Sequence, residues 1–209
     1  MNHATLALAD RVTDRRLDDA ALDVLFREAR THNAWSTDAV PLARLRDIYE
    51  LMKWGPTSVN GNPARLVFLT SDRAKARLLP ALMPRNVDKT RTAPVVVIVA
   101  YDTAFHQQLP HLLPHAVDAP AMFANNPELT RETAERNSAL QGAYFMLAAR
   151  ALGLDCGPMS GFDAAAVNRE FFPDGRWKVN FLCNLGYGDP SGLFPRSPRL
   201  DFETACRVI

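Results

Sequence analysis

Apolar residues recur at helical spacing in two stretches near the start of the chain. Leu17, Ala20, Ala21, Leu25 and Phe26 share one face, with Asp18, Asp19, Arg27 and Glu28 between them, so the spacing predicts a first helix from Leu17 to Ala29. Leu42, Leu45, Ile48, Tyr49 and Met52 repeat the period between Pro41, which suits a first turn, and Gly55-Pro56, which stops a helix, so a second helix is predicted there. The short β-rich run "RLVFLT" at 65–70 predicts a strand, followed by a short helix that Ser71 is placed to cap. "PVVVIVAY" at 94–101 is apolar at consecutive positions, as in a strand covered on both faces.

From Asp102 to Pro127 the pattern breaks, because Pro110, Pro114, Pro120 and Pro127 interrupt any long helix and predict an irregular excursion of the kind that forms lids or partner contacts. Helical period returns from Glu128 to Leu152, with Leu140, Tyr144, Leu147, Ala148 and Ala151 on one face and Gly153 as the stop, predicting the longest and most buried helix. In "GFDAAAVNREFF" Asp163 is a candidate N-cap and Phe162 a staple against the helix it opens. "KVNFLCNLGYG" then reads as a strand running into a glycine turn. Helices and short strands without strict alternation, and no repeat or linker dividing them, predict one α+β domain over residues 17–209 behind a loose tail, residues 1–16.

Composition narrows the partners. The chain has 209 residues, 47% of them hydrophobic, enough to bury a sizeable core. Its 24 basic and 23 acidic residues leave a formal charge of +1, so nothing electrostatic argues for nucleic acid or an anionic membrane, and small molecules or proteins are the expected partners. Three widely spaced cysteines, Cys156, Cys183 and Cys206, argue against a disulfide framework or a zinc ribbon and suit a reducing cytoplasm. The N-terminus lacks the charge and apolar run of a signal peptide, and "APVVVIVAY" is too short to span a bilayer, so a soluble cytoplasmic protein is expected.

Familiar catalytic motifs are missing. His106, His111 and His115 with Asp118 tempt a metal reading, but Pro110 and Pro114 interrupt them and no metal is expected. Gly186, Gly188 and Gly192 follow a strand, yet Pro190 and Pro195 stand where a dinucleotide fingerprint needs a helix. Cys156, beside Gly157 and Pro158, has no evident base and reads as a buried small apolar residue. What remains is polar residues at element ends: "RTHNAW" (30–35), "GPTSVNGNPAR" (55–65), "NVDK" (86–89), "GPMSGFD" (157–163) and "RSPR" (196–199). Each alone has a plain account as a turn or cap.

Taken in order, with the long strings "MKWGPTSVNGNPAR", "ERNSALQGAY", "ALGLDCGPMSGFD" and "NLGYGDPSGL", these segments resemble the nitroreductase superfamily of FMN-dependent oxidoreductases, and within it the malonic semialdehyde reductases (3-hydroxypropanoate dehydrogenases) of pyrimidine degradation. The resemblance implies a three-layer fold with a central mixed sheet flanked by helices, in a domain-entwined homodimer with flavin at the subunit interface. It implies FMN as cofactor, NADH or NADPH as donor, and ping-pong hydride transfer through flavin N5, so that no side chain need be a nucleophile. A broad nitro- or quinone reductase is the nearer alternative, and a flavin-binding protein without turnover the more distant one.

The same resemblance implies the site residues. Arg30, Thr31 and Asn33 occupy part of a motif that holds FMN; an arginine can bind the phosphate bidentately, a hydroxyl and an amide the ribityl or ring oxygens. Ala29 and Asn33 stand where bases are usual, which leaves the flavin potential open. Pro56, Thr57, Ser58 and Asn60 resemble a loop that reaches flavin from the partner subunit, with Asn62 in place of a common glutamine. Asn86 and Lys89 resemble ring and ribityl contacts. Ser160 and Gly161 match positions whose backbone faces the ring, Ser160 standing where many relatives carry glutamate, and a glycine lets backbone approach a planar ring closely. Arg196 and Arg199 resemble a phosphate clamp, Phe123 a residue of the substrate channel, and Arg65 and Arg85 are candidates for the cation that an acidic substrate needs.

Overall fold

The structure, a computed structural model, describes residues 16–209. The expected tail, residues 1–16, lies outside the described residues except for Arg16. Strands β1 (Ala64–Leu69), β2 (Val95–Asp102), β3 (Asp155–Met159) and β4 (Trp177–Gly186) form one sheet in the order β1-β2-β4-β3. All three strand pairings are antiparallel; the parallel pairing of a mixed sheet is confined to the single bridge Thr31–Cys156. The reason lies in the connection between β1 and β2. It holds two helices, which carry the chain away and bring it back to the end it left.

β2 is buried at every position because helices cover both faces. Val96, Ile98 and Ala100 pack with Leu78, Leu82, Val167 and Phe172. These come from the side of α3 (Asp72–Leu78) and α6 (Ala164–Phe171), with α4 (Pro84–Thr92) between them in sequence. Val95, Val97 and Val99 pack on the other side with Leu45, Ile48 and Met52 of α2 (Leu42–Met52) and with Phe145, Ala148 and Ala149 of α5 (Pro127–Ala151). Ser71 and Asp163 accept from the Ala74 and Ala166 amides as N-caps of α3 and α6. Gly153, at φ +78°, follows the cap of α5 and turns the chain into β3.

Three elements depart from the pattern-based reading. The first predicted helix is an α-turn, α1 (Asp19–Leu22), running into a π-helical turn at Asp23–Arg27, and it buries none of its residues. Of its apolar face, Leu17, Val24 and Phe26 are exposed, while Ala21, Leu22 and Leu25 are half-buried. α5 has its expected length, but Leu140 and Tyr144 are 46% and 39% exposed, while Thr130, Thr133, Asn137, Ser138, Gln141 and Gly142 face inward. Inward polarity serves hydrogen bonding: Asn137 Oδ1 accepts from the Ser58 amide at 2.8 Å and Gln141 Oε1 from the Ala64 amide at 2.9 Å. Finally, the proline-rich excursion is tied down by helical turns at Phe105–Gln108, Leu109–Leu112 and Ala119–Ala124 around a satellite cluster of Tyr101, Phe105, Leu109, Phe123 and Ala134. No helix among the described residues is long and apolar enough to cross a membrane.

Candidate functional site

"RTHNAW" is a strap along the end of the sheet. The His32 amide donates to the Cys156 carbonyl at 3.0 Å, and bridges pair Thr31 with Cys156 and Trp35 with Gly188. His32 and Trp35 are both buried. His32 Nε2 stands 3.3 Å from Asp155 Oδ1, and the Gly188 amide donates to the other oxygen of that carboxylate at 2.9 Å. Gly188 has no room for a side chain, because a Cβ there would overlap His32 Nδ1. The strap's polar positions, Arg30, Thr31 and Asn33, are thereby turned the other way.

They open onto a cleft of about 650 Å³, lined also by Ala29, Arg150, Phe194, Arg196, Ser197 and Arg199. Five arginines line it, Arg27 together with Arg30, Arg150, Arg196 and Arg199. Arg30 donates to the Phe194 carbonyl, Arg196 to that of Ala29 at 3.3 Å, Arg150 to that of Leu25 at 3.4 Å, and Arg199 to those of Ser197 and Pro198 at 3.0 Å each. Among the described residues Arg30, Arg150, Arg196 and Arg199 have no carboxylate within 4.0 Å, whereas Arg27, which lines the same cleft, is paired with Asp19 and Asp23. Uncompensated, planar cations with donors to spare are the chemistry that a phosphate requires.

Beside the cleft, Lys89 Nζ donates to Asn33 Oδ1 at 3.1 Å. The strap lacks a base at position 33, and α4 supplies one across space. Burial, and after it the charge of Arg85, holds the Lys89 ammonium below the usual lysine range. α4 is fixed from both ends of this region. Its C-terminal half is anchored where Trp35 Nε1 and Asn184 Nδ2 donate to the Lys89 carbonyl at 3.0 and 3.2 Å. Near its start, Asn86 Nδ2 and the Met83 amide both donate to the Gly161 carbonyl, at 2.8 and 3.0 Å. Asn86 is only 3% exposed. A Cβ on Gly161 would lie 2.6 Å from Asn86 Nδ2, so the glycine is required by this protein contact, a reason different from the close approach of a ring. Ser160 is exposed at the same bend.

Other expected residues stand elsewhere. Thr57, Ser58 and Asn60 belong to a loop tied to α5 and to the Leu112 carbonyl, with Val59, Asn60 and Asn62 at positive φ. Asn60 and Asn62 line a larger, more apolar groove of about 850 Å³ with residues of α2 and β1, and no residue of that groove lines the arginine cleft. Within one chain, therefore, the Pro56–Asn60 loop does not join the site. Phe123, 3% exposed, packs edge-on against Phe105 with centroids 5.1 Å apart, so its ring is spent in the satellite core. Arg65 is likewise committed, to Asp102 at 2.8 Å and to the Asn62 and Ala64 carbonyls. Among the described residues no group of three metal-ligating side chains stands together.

Sequence reasoning missed Arg150 and the His32–Asp155 pair. Arg150 sits on the long helix in a run of alanines, where a lone arginine reads as solvated; only the fold turns it toward the strap.

A profile of the nitroreductase family matches residues 26–187. A protein of Rhodopseudomonas palustris (strain TIE-1), provisionally named NADH dehydrogenase/NAD(P)H nitroreductase, is 62% identical over 92% of this chain and 98% of its own. Two solved structures share the fold at lower identity. A provisionally named nitroreductase of Bacillus subtilis superposes with a TM-score of 0.84 at 23% identity, over 92% of this chain and 100% of that one. Another from Exiguobacterium sibiricum 255-15, solved in complex with FMN, gives 0.80 at 22% identity, over 93% and 99%.

Proposed function

The chain belongs to the nitroreductase family, and on that premise we propose that it is an FMN-dependent NAD(P)H oxidoreductase whose acceptor is malonic semialdehyde, reduced to 3-hydroxypropanoate. The observation that carries the flavin part is the meeting of Arg30, Arg150, Arg196 and Arg199 without a carboxylate, next to Thr31, Asn33 and Lys89. These residues fit the cofactor. The guanidinium groups suit its phosphate, the Thr31 hydroxyl and Asn33 amide its ribityl or ring oxygens, and Lys89 the negative charge of its reduced form.

When bound, FMN supplies a two-electron carrier between a nicotinamide donor and the acceptor. The chain's part is to bind and orient. Asn86 fixes the Gly161 carbonyl through its Nδ2 and so sets the course of the Ser160–Gly161 backbone. Lys89, leaning on Asn33, keeps a cation at the strap without a neighbouring carboxylate to quench it. Donor and acceptor take turns at the same opening, so double-reciprocal plots run parallel. The Pro56–Asn60 loop completes the site from a second copy of the chain, which makes the working unit a homodimer. That arrangement is supported by the loop's separation from the cleft and by the exposed apolar face of α5.

The test is a visible spectrum of the purified protein, then anaerobic NADH or NADPH, then malonic semialdehyde. Flavin bands that bleach with the nucleotide and return with the aldehyde acid support the proposal. Return with nitro or quinone acceptors alone replaces the acceptor by that of a broad reductase, and bands that never bleach leave a flavin-binding protein without turnover. A colourless protein that takes up no FMN overturns every flavin reading.

A further inference from the structure

The substrate named above is an anion, and the cleft's arginines are accounted for by the cofactor's phosphate. A second cation is therefore needed for the substrate. Of the two candidates in the sequence, Arg65 has its guanidinium committed to Asp102, Asn62 and Ala64. Arg85 differs in every respect. It is exposed in the first turn of α4, and among the described residues it has neither a carboxylate nor a hydrogen-bond acceptor.

Its surroundings are nonetheless rigid. The residues that flank Arg85, Met83 two before it and Asn86 one after, both bind the Gly161 carbonyl, so this turn is stitched to the Ser160–Gly161 bend. Lys89 lies four residues on, which puts it one turn along the same helix face, with its ammonium on Asn33. The nearest acidic residue in the helix, Asp88, is held by Arg91 at 2.8 Å. Two cations one turn apart, with no anion between them, repel; burial first, and the charge of Arg85 after it, holds the Lys89 ammonium below the usual lysine range. A carboxylate arriving at Arg85 relieves that repulsion and breaks no existing bond.

We propose that Arg85 is the specificity residue of this site: its unpaired guanidinium, carried on the turn of α4 that is tied to the Gly161 carbonyl and one helical turn from Lys89, binds the carboxylate of a small acidic acceptor and selects such acceptors over neutral ones. The assignment rests on the reductase reading, but extends to any anionic acceptor. A guanidinium suits the task because its fork matches both carboxylate oxygens at once.

The experiment compares wild-type holoenzyme with Arg85→Ala and Arg85→Lys on two acceptor pairs, malonic semialdehyde against propanal and 4-nitrobenzoate against nitrobenzene. Binding of 4-nitrobenzoate to the oxidised holoenzyme is measured alongside by calorimetry, without turnover. Loss of a charged hydrogen bond lowers the anionic-to-neutral ratio of kcat/KM by about 10- to 100-fold in Arg85→Ala, mainly through KM, weakens the calorimetric Kd to a similar extent, and is partly recovered in Arg85→Lys. Ratios unchanged in Arg85→Ala overturn the assignment, as does an effect confined to the KM of NADPH. If malonic semialdehyde is not reduced but the nitro pair responds as described, the substrate named above fails and Arg85 stands. If nothing turns over, the calorimetric comparison decides alone, loss of binding in Arg85→Ala supporting the role and equal binding overturning it.

Discussion

Gly188 and His32 occupy one volume between them, and a methyl group at Gly188 has to displace a buried imidazole that Asp155 holds. Gly188→Ala is expected to destabilise the fold by about 1–3 kcal/mol, the range for overpacking, in urea unfolding. Because the same imidazole anchors the strap that carries Arg30 and Asn33, FMN affinity falls with it. The clamp itself is tested by Arg199→Ala, which should weaken FMN binding by about 1.5–3 kcal/mol in a fluorescence titration; equal affinity would remove Arg199 from the site. Tyr101 reports on pH. Burial, together with its 3.0 Å bond to Glu135, raises its hydroxyl from 10.0 to about 12. The fold favours the protonated form, so its contribution is fully present below pH 10 and is lost as pH rises from there through about 12. Unfolding free energies of wild type and Tyr101→Phe across that window should differ in slope, the variant declining less steeply.

At the level of elements, local chemistry and tertiary context divide the outcome. The caps Ser71 and Asp163 were legible because an N-cap acts within three residues. Asp163→Ala is expected to cost about 0.5–2 kcal/mol in thermal or urea unfolding, with Asp163→Asn close to wild type. β2 was legible as a strand buried on both faces, since a run of apolar residues without alternation admits few other solutions. The buried face of α5 was not legible. Hydropathy ranks Leu140 and Tyr144 above Thr133, Asn137 and Gln141, yet the latter go inward because the 57–64 loop leaves amides that need acceptors. β3 escaped notice for a related reason: "DCGPM" has a glycine and a proline where β-formers are usual, and pairing with β4 overrides that preference.

At the scale of the whole molecule, several large apolar side chains stand exposed together among the described residues. Trp54 is 78% exposed, and Leu42, Tyr49, Leu140 and Tyr144 are exposed with it, around the foot of the loop that stays apart from the arginine cleft. Tyr144 lies on Gly55, the residue that opens that loop, so the two features are mechanically joined. A dimer built on this face predicts that light scattering gives twice the chain mass. It predicts too that Leu140→Arg yields a folded monomer with much weakened FMN affinity, since a polar outward substitution leaves the inner face of α5 intact while removing the neighbouring loop. A dimeric Leu140→Arg variant, or a monomer binding FMN as tightly as wild type, would contradict that geometry.

The sequence by itself determined what acts over short range: the period of α2, the buried run of β2, the caps, the turn after α5, and the identity of polar strings at element ends. Those strings carried the family resemblance and most of the candidate site, including the strap and the two C-terminal arginines. Tertiary structure decided which of them meet. It brought Lys89 to the position where the strap lacks a base, turned Arg150 into the cleft, spent Arg65 on Asp102 and Phe123 on a satellite core, and left Arg85 without a partner among the described residues. The physical reason is that the charge and burial of a side chain are properties of its neighbours in space, and those neighbours here lie as many as 167 residues away along the chain.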